Sequence, residues 1–533
     1  MSDLFRESAM GQLLRFVTRN KILLYPEEKP GFELPDCYNT ALNSTGGGEK
    51  SISRSSSDEE GKKDEVPTTP TEKPLSPQRT VPDRDPEQAT MTLTKTKTRE
   101  ETTGYTNERL EVEQELELNK TKTIPIVPQK TSDGNILVDW YTTDDPANPQ
   151  NWWVWKKHFV ALILSLYTFA VYTASAIYTP SVPGIIRDFH QDETTASLPL
   201  SLYVLAYGIG PLFFAPMSEV PIIGRSPVYI TTMFFFVIIS IPTPLVNNFA
   251  GLLVLRFLQG FFGSPCLANG GATMQDMYSL LYLPYGLSAW VASAYCGPAL
   301  GPLLSGFAVT AKGWRWSLWE ILWLAGPVFI AMFLFMPETS TPNILMRRAK
   351  RLRALTGDNR LKSQSEIEQA NMDPKKVLID AIIKPIEITV KDPAIAFVNL
   401  YTAIIYGIYY SFFEVFPLVY PVYYNMSAGI VGVVFLCILI SCFIGVAMYC
   451  AYLKWYLIPD ILSHGMRSQE HRLVPALIGA FGPPIGLFIF AWTARPDLPW
   501  IASVIGITVY GASVFVVMQC IFVSFPLLVD DNR

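Results

Sequence analysis

Two neighbouring runs, LLVLRFLQGFFGSPCLANGG (Leu252–Gly271) and YGLSAWVASAYCGPALGPLLSG (Tyr285–Gly306), decide the reading of this chain. Each apolar part of Phe249–Gly306 is about long enough to cross a bilayer, since a spanning helix needs roughly 20 residues. The first run carries a lone Arg256, and the second carries Gly297-Pro298 and Gly301-Pro302. A charge and two helix-breaking pairs are costly in lipid. Their presence calls for a function, and transport supplies one.

The rest of the chain supports that frame. Of 533 residues, 49% are hydrophobic and 17% charged. Residues 1–157 are polar, whereas much of 158–526 is apolar in stretches of about 20. This is the composition of an all-α polytopic membrane protein. The net charge of -5 is small and gives no reason to expect a nucleic-acid partner. Six of the seven cysteines lie in apolar runs, as small buried hydrophobes do. The four histidines lack metal-ligand spacing, and no nucleophile–base pair stands out. Neither a cofactor nor an enzymatic activity is expected.

In chain order, the N-terminus has no signal-peptide pattern. Leu4, Leu13, Leu14 and Val17, interspersed with Arg6, Arg15, Arg19 and Lys21, suit either a short helix on the membrane surface or one without a special partner. Residues 40–133 are poor in large apolar side chains, so 1–137 reads as a largely disordered tail. An entry segment, 138–157, follows. Its Trp140, Trp152, Trp153 and Trp155 suit a membrane interface.

Ten spans are expected, near 158–178, 197–216, 228–246, 249–271, 286–309, 319–337, 394–420, 427–453, 473–493 and 499–526. The connection 338–393 splits them six and four, into bundles at 158–337 and 394–533. With the N-terminus inside, the cytoplasmic loops hold 15 Lys and Arg and the outer loops 4. Positive residues stay inside, so the tail and the basic connection share the cytoplasm.

Arg256, Gln259, Gly260 and Gly263 share one face of the fourth span. Arg256 faces a cavity or snorkels to the interface. In the fifth span Ser293, Gly297, Gly301 and Ser305 form a small-residue stripe that lets helices approach closely, while Pro298 and Pro302 are expected to bend it. Glu219 and Gly224-Arg225 flank a tight turn, where opposite charges suit a latch between helix ends. In the seventh span Tyr406, Tyr410, Phe413, Glu414 and Pro417 lie together. A carboxylate among rings suits proton uptake or attraction of a polar ligand, unless it is merely solvated at the outer edge. Tyr172, Tyr178, Tyr203 and Tyr207 read as aromatic lining or as ordinary packing.

These residues resemble a known family. Arg256-Phe257-Leu258-Gln259-Gly260 resembles the fourth-helix motif of the major facilitator superfamily, and Gly297-Pro298-Ala299-Leu300-Gly301-Pro302 its fifth-helix antiporter motif. Glu219 with Gly224-Arg225 resembles the loop motif between helices two and three. The family's acid is commonly Asp, however, and the spacing here is one residue longer. Asp145-Pro146, Asn148-Pro149, Asn151-Trp152, Trp314-Arg315-Trp316, Pro337-Glu338-Thr339 and the basic run Arg347–Arg353 are similar to the twelve-span fungal drug:proton antiporters, including the yeast benomyl, fluconazole and cycloheximide resistance transporters.

The resemblance implies two six-helix bundles with alternating access. It implies proton-coupled efflux of small amphipathic toxic molecules across the fungal plasma membrane, with Arg256 in proton coupling. It places Gly297, Pro298, Gly301 and Pro302 at the seam that controls leak. Glu414 joins Arg256 as a coupling candidate, and Gln259, Tyr406, Tyr410 and Phe413 are cavity candidates. The family has twelve spans against ten here (6 + 4), so the second bundle is expected to be truncated. Two other readings stand beside drug efflux. One is export of a self-made metabolite or toxin. The other is a non-transporting sensor, or an inactive truncated transporter, suggested by the long tail.

Overall fold

The computed structural model describes residues 2–43, 109–111, 113–114, 124–131, 133–370, 374–467 and 469–528. The expected disorder of 44–108 and of the other residues between these stretches lies outside the described residues.

The apolar runs form helices. The first six spans are Val154–Ala176, Glu193–Glu219, Arg225–Leu245, Phe249–Met277, Leu283–Lys312 and Arg315–Phe335. Four more follow at Pro393–Tyr424, Ala428–His464, Glu470–Thr493 and Trp500–Val523. Among the described residues nine helices are long and apolar enough to cross a membrane. The fifth span, 30 residues long, is diluted by its glycines, prolines and serines and is not one of the nine.

Side-chain caps start several spans where the sequence offers a short polar residue. Asn248 Oδ1 accepts from the Gly251 amide at 2.9 Å, and Asp392 Oδ1 from the Ala394 amide at 2.9 Å. At the other ends the chain leaves the helix through left-handed or glycine-only backbone, at Asn425 (φ 52°) and Gly313 (φ 91°). The first span packs on the fifth and sixth, and the fourth on the second and third. The eighth and ninth pack on the tenth, and the fifth meets the eighth.

The structure corrects one reading. The tail is not shapeless over its first 43 residues: Ser2–Glu7, Ala9–Val17 and Asp36–Asn43 are helical. The connection after the sixth span is largely helical as well, at Thr341–Thr356, Gln364–Ala370 and Pro374–Lys391.

The two regions bind one another. Ile136–Leu137 (β1) pairs in parallel with Leu361–Lys362 (β2). Tyr38, Ile136, Val138, Ala349, Leu352 and Leu361 bury one another in a small core beside this pair. Tyr38 Oη donates to the Asp139 carbonyl at 3.2 Å. The apolar side chains that close this cap are widely separated in the sequence, so a local composition reading misses them.

Charge completes the cap. Arg348, on the basic helix Thr341–Thr356, donates to both Asp145 oxygens at 2.6 and 3.2 Å. Glu27 lies 3.4 Å from Arg348 and 3.1 Å from Arg351. Burial pushes the Asp145 carboxyl up. The Arg348 charge and donors from Ala147 and Tyr141 outweigh it and hold the carboxyl below the usual range. Trp140 and Trp152 are buried in protein, while Trp153 and Trp155 are exposed.

Candidate coupling site between the two bundles

Arg256 is fully buried. It does not snorkel. Its Nη1 donates to the Ala174 carbonyl at 3.0 Å and to Gln259 Oε1 at 3.3 Å, and its Nη2 to the Ser175 carbonyl at 3.3 Å. The guanidinium lies over the rings of Tyr203 (4.9 Å) and Tyr178 (5.2 Å), whose negative faces suit a cation. Helix periodicity puts Gln259 one turn on, where its Nε2 donates to Ser240 Oγ of the third span at 2.9 Å. Gly260 packs directly on the backbone of Tyr203, and Gly263 on Val171 and Phe236. The face read from the sequence is thus the face that packs into the first bundle.

The carbonyls that hold Arg256 belong to the end of the first span, and that end also meets the seventh. Ser175 Oγ lies 3.1 Å from Tyr410 Oη, on the other bundle. One helical turn further, Glu414 Oε2 accepts from Ser197 Oγ of the second span at 3.2 Å. Glu414 is half-buried and bonded across the bundles, so it is not simply solvated at an edge. Tyr406 and Tyr410 are half-buried with rings 5.0 Å apart. Phe413 is fully buried and stacks on Phe435 of the eighth span at 5.2 Å. Tyr178 and Tyr203 flank Arg256, whereas Tyr172 packs edge-on against Tyr207 at 5.1 Å.

The fifth span runs as one helix through both prolines. Gly297 and Gly301 face the first span. A Cβ on Gly297 would sit 2.8 Å from Tyr172 Cβ, and one on Gly301 2.9 Å from the Ile177 nitrogen. The other side of the same turn meets the eighth span, where a Cβ on Gly432 would lie 2.7 Å from the Pro302 carbonyl. Cys296 and Cys442 sulfurs stand 3.9 Å apart on the same seam. The Gly-Pro motif therefore brings the first and eighth spans against opposite sides of one helix.

The loop motif is wired differently from its sequence reading. Arg225 does not latch to Glu219, which is exposed. Its guanidinium binds Asp276 of the fourth span at 2.6 and 3.2 Å. Glu338 accepts from the amides of Arg225, Ser226 and Ser340 at 3.0, 3.2 and 2.9 Å. Burial raises the Glu338 carboxyl above its usual range against the pull of these donors. Gly224 (φ 79°) lies so close that a Cβ would meet Glu338 Oε2 at 2.6 Å. Sequence reasoning missed Asp276 as the partner. Its signal was the one carboxylate of a span whose only other charge is Arg256.

The family model described as Major Facilitator Superfamily matches residues 164–531. The chain belongs to this superfamily. It is a multi-pass membrane protein of the transporter fold. It is 45% identical over 395 residues to the MFS-type transporter pyvG of Aspergillus violaceofuscus, covering 74% of this chain and 73% of that one. It is 39% identical over 393 residues to the Cycloheximide resistance protein of Candida maltosa, covering 73% and 71%. It is 38% identical over 385 residues to Fluconazole resistance protein 1 of Saccharomyces cerevisiae, covering 72% and 70%. In this major facilitator chain Arg256 is buried within the first bundle, and the Gly-Pro helix packs against the eighth span at Gly432.

Proposed function

We propose that this chain exports small amphipathic toxic molecules from the cytoplasm across the plasma membrane, in exchange for protons. The N-terminal segment and the basic helix then lie on the cytoplasmic side, as the distribution of Lys and Arg favours.

One observation carries the reading. The buried Arg256 is bonded to the Ser175 carbonyl, and the Ser175 hydroxyl meets Tyr410 of the opposite bundle. Glu414 lies one turn from Tyr410 and is held by Ser197. A proton arriving at Glu414 removes the charge that accepts from Ser197, and so weakens a bond between the bundles. Such a bond biases one arrangement of the bundles over another, which is what coupling requires. The relatives named for cycloheximide and fluconazole resistance support drugs as the substrate class.

The test is expression in a pump-deficient yeast challenged with cycloheximide and with fluconazole. Increased tolerance is expected. Parental sensitivity to both, with the protein present at the plasma membrane, refutes drug export by this chain.

A further inference from the structure

The helix Ala9–Val17 leaves an apolar face uncovered. Leu13, Phe16 and Val17 fall on one side of it, with Phe16 82% and Val17 68% exposed. Ile22, in the following turn, is exposed too. The opposite side is fixed to the protein. Arg15 is buried, bonded to Glu28 at 2.6 Å and stacked over Tyr25 at 4.6 Å. Leu4 of the preceding helix is buried in the main core, and both short helices pack on the sixth span. The helix that carries this face is therefore held against the membrane-crossing part of the fold.

Charge identifies what covers it. From Gln12 to Tyr25 the sequence has no acid. It has Arg15, Arg19 and Lys21, of which Arg19 and Lys21 are exposed at the end of the apolar face. Apolar side chains bordered by exposed cations fit the boundary between headgroups and acyl chains of an anionic bilayer. We propose that Ala9–Ile22 is a membrane-seated anchor that takes anionic lipid. The segment continues into Tyr25 and Glu27, which grip Arg351 and Arg348 of the basic helix. The anchor therefore straps that helix, and with it the connection between the bundles, to the lipid surface. The proposal requires only that the fold sits in a membrane. It is independent of what the chain exports.

The test uses the full chain in phosphatidylcholine vesicles, with and without phosphatidylserine. A spin label is placed at Phe16→Cys or, as a control, at Thr40→Cys, with Cys37→Ser in both and the signal of the Cys37→Ser protein alone subtracted. Oxygen and nickel accessibilities give depth. The label at position 16 is expected about 5–10 Å below the headgroups, and the label at 40 in water. Adding Arg19→Glu and Lys21→Glu is expected to lift the first label toward water in phosphatidylserine vesicles. A label at 16 as accessible to nickel as the one at 40, in both vesicle types, overturns the anchor. A depth unmoved by the two charge reversals in phosphatidylserine vesicles overturns the preference for anionic lipid.

Discussion

Replacing Arg256 by Ala separates the contribution of this side chain to folding from its contribution to transport. Its three hydrogen bonds come from a charged donor, and each such bond contributes about 1.5–3 kcal/mol. Their gross loss is about 5–9 kcal/mol. Against this, removal relieves a charge that costs about 2.5–3.5 kcal/mol at a helix centre. It also releases about 2 kcal/mol of ordered side-chain entropy. The net destabilisation is therefore a few kcal/mol, and the protein is expected to fold and reach the membrane.

Transport is expected to respond differently. Without the guanidinium the Ala174 and Ser175 carbonyls lose their donor, and the end of the first span loses its link toward Tyr410. Export driven by an imposed pH gradient in proteoliposomes is expected to fall at least about tenfold, equivalent to about 1.4 kcal/mol. Arg256→Lys is expected to behave like Ala, because a point charge cannot bridge two carbonyls as a planar fork does. Gradient-driven export equal to the parent's in Arg256→Ala refutes the coupling role.

Further expectations follow from other contacts. Glu414→Gln keeps a partner for Ser197 but cannot be ionised, so substrate-linked proton movement read with a pH dye is expected to vanish; proton movement at the parent's level overturns the role given to Glu414. Gly301→Val forces bulk against the Ile177 nitrogen, 2.9 Å from the new Cβ, and is expected to cost about 1–3 kcal/mol, read as a lowered melting temperature in detergent. Asp145 has a lowered carboxyl pKa, so its contribution is fully present above the ordinary aspartate value of about 3.9 and is lost as pH falls through the lower folded value. Protease protection of 338–370 is thus expected to persist from pH 7 to about pH 4 and then to fail, whereas Asp145→Asn is expected to lose it at pH 7.

The sequence made the membrane helices legible because a bilayer imposes a length and an apolarity that no local context hides. The face of Arg256, Gln259, Gly260 and Gly263 was legible for the same reason: helix periodicity alone fixes it. What escaped was pairing across distance. Arg225 and Asp276 are 51 residues apart, and Ser197 and Glu414 are 217 apart. Nothing local in either residue selects its partner. The cap escaped for a third reason. The polar composition of 40–133 was extended to the whole of 1–137, although Leu4, Tyr25 and Tyr38 are buried.

The grip of Glu27 on Arg351 also has a consequence in time. Their positions differ by 324 residues. At about 5–20 residues per second, the ribosome reaches Arg351 roughly 16–65 s after Glu27. All six spans of the first bundle are made within that interval. The segment around Glu27 is synthesised before all six spans, yet it can close onto the basic helix only after the sixth span has been made. Its docking thereby requires that the first bundle has already been made.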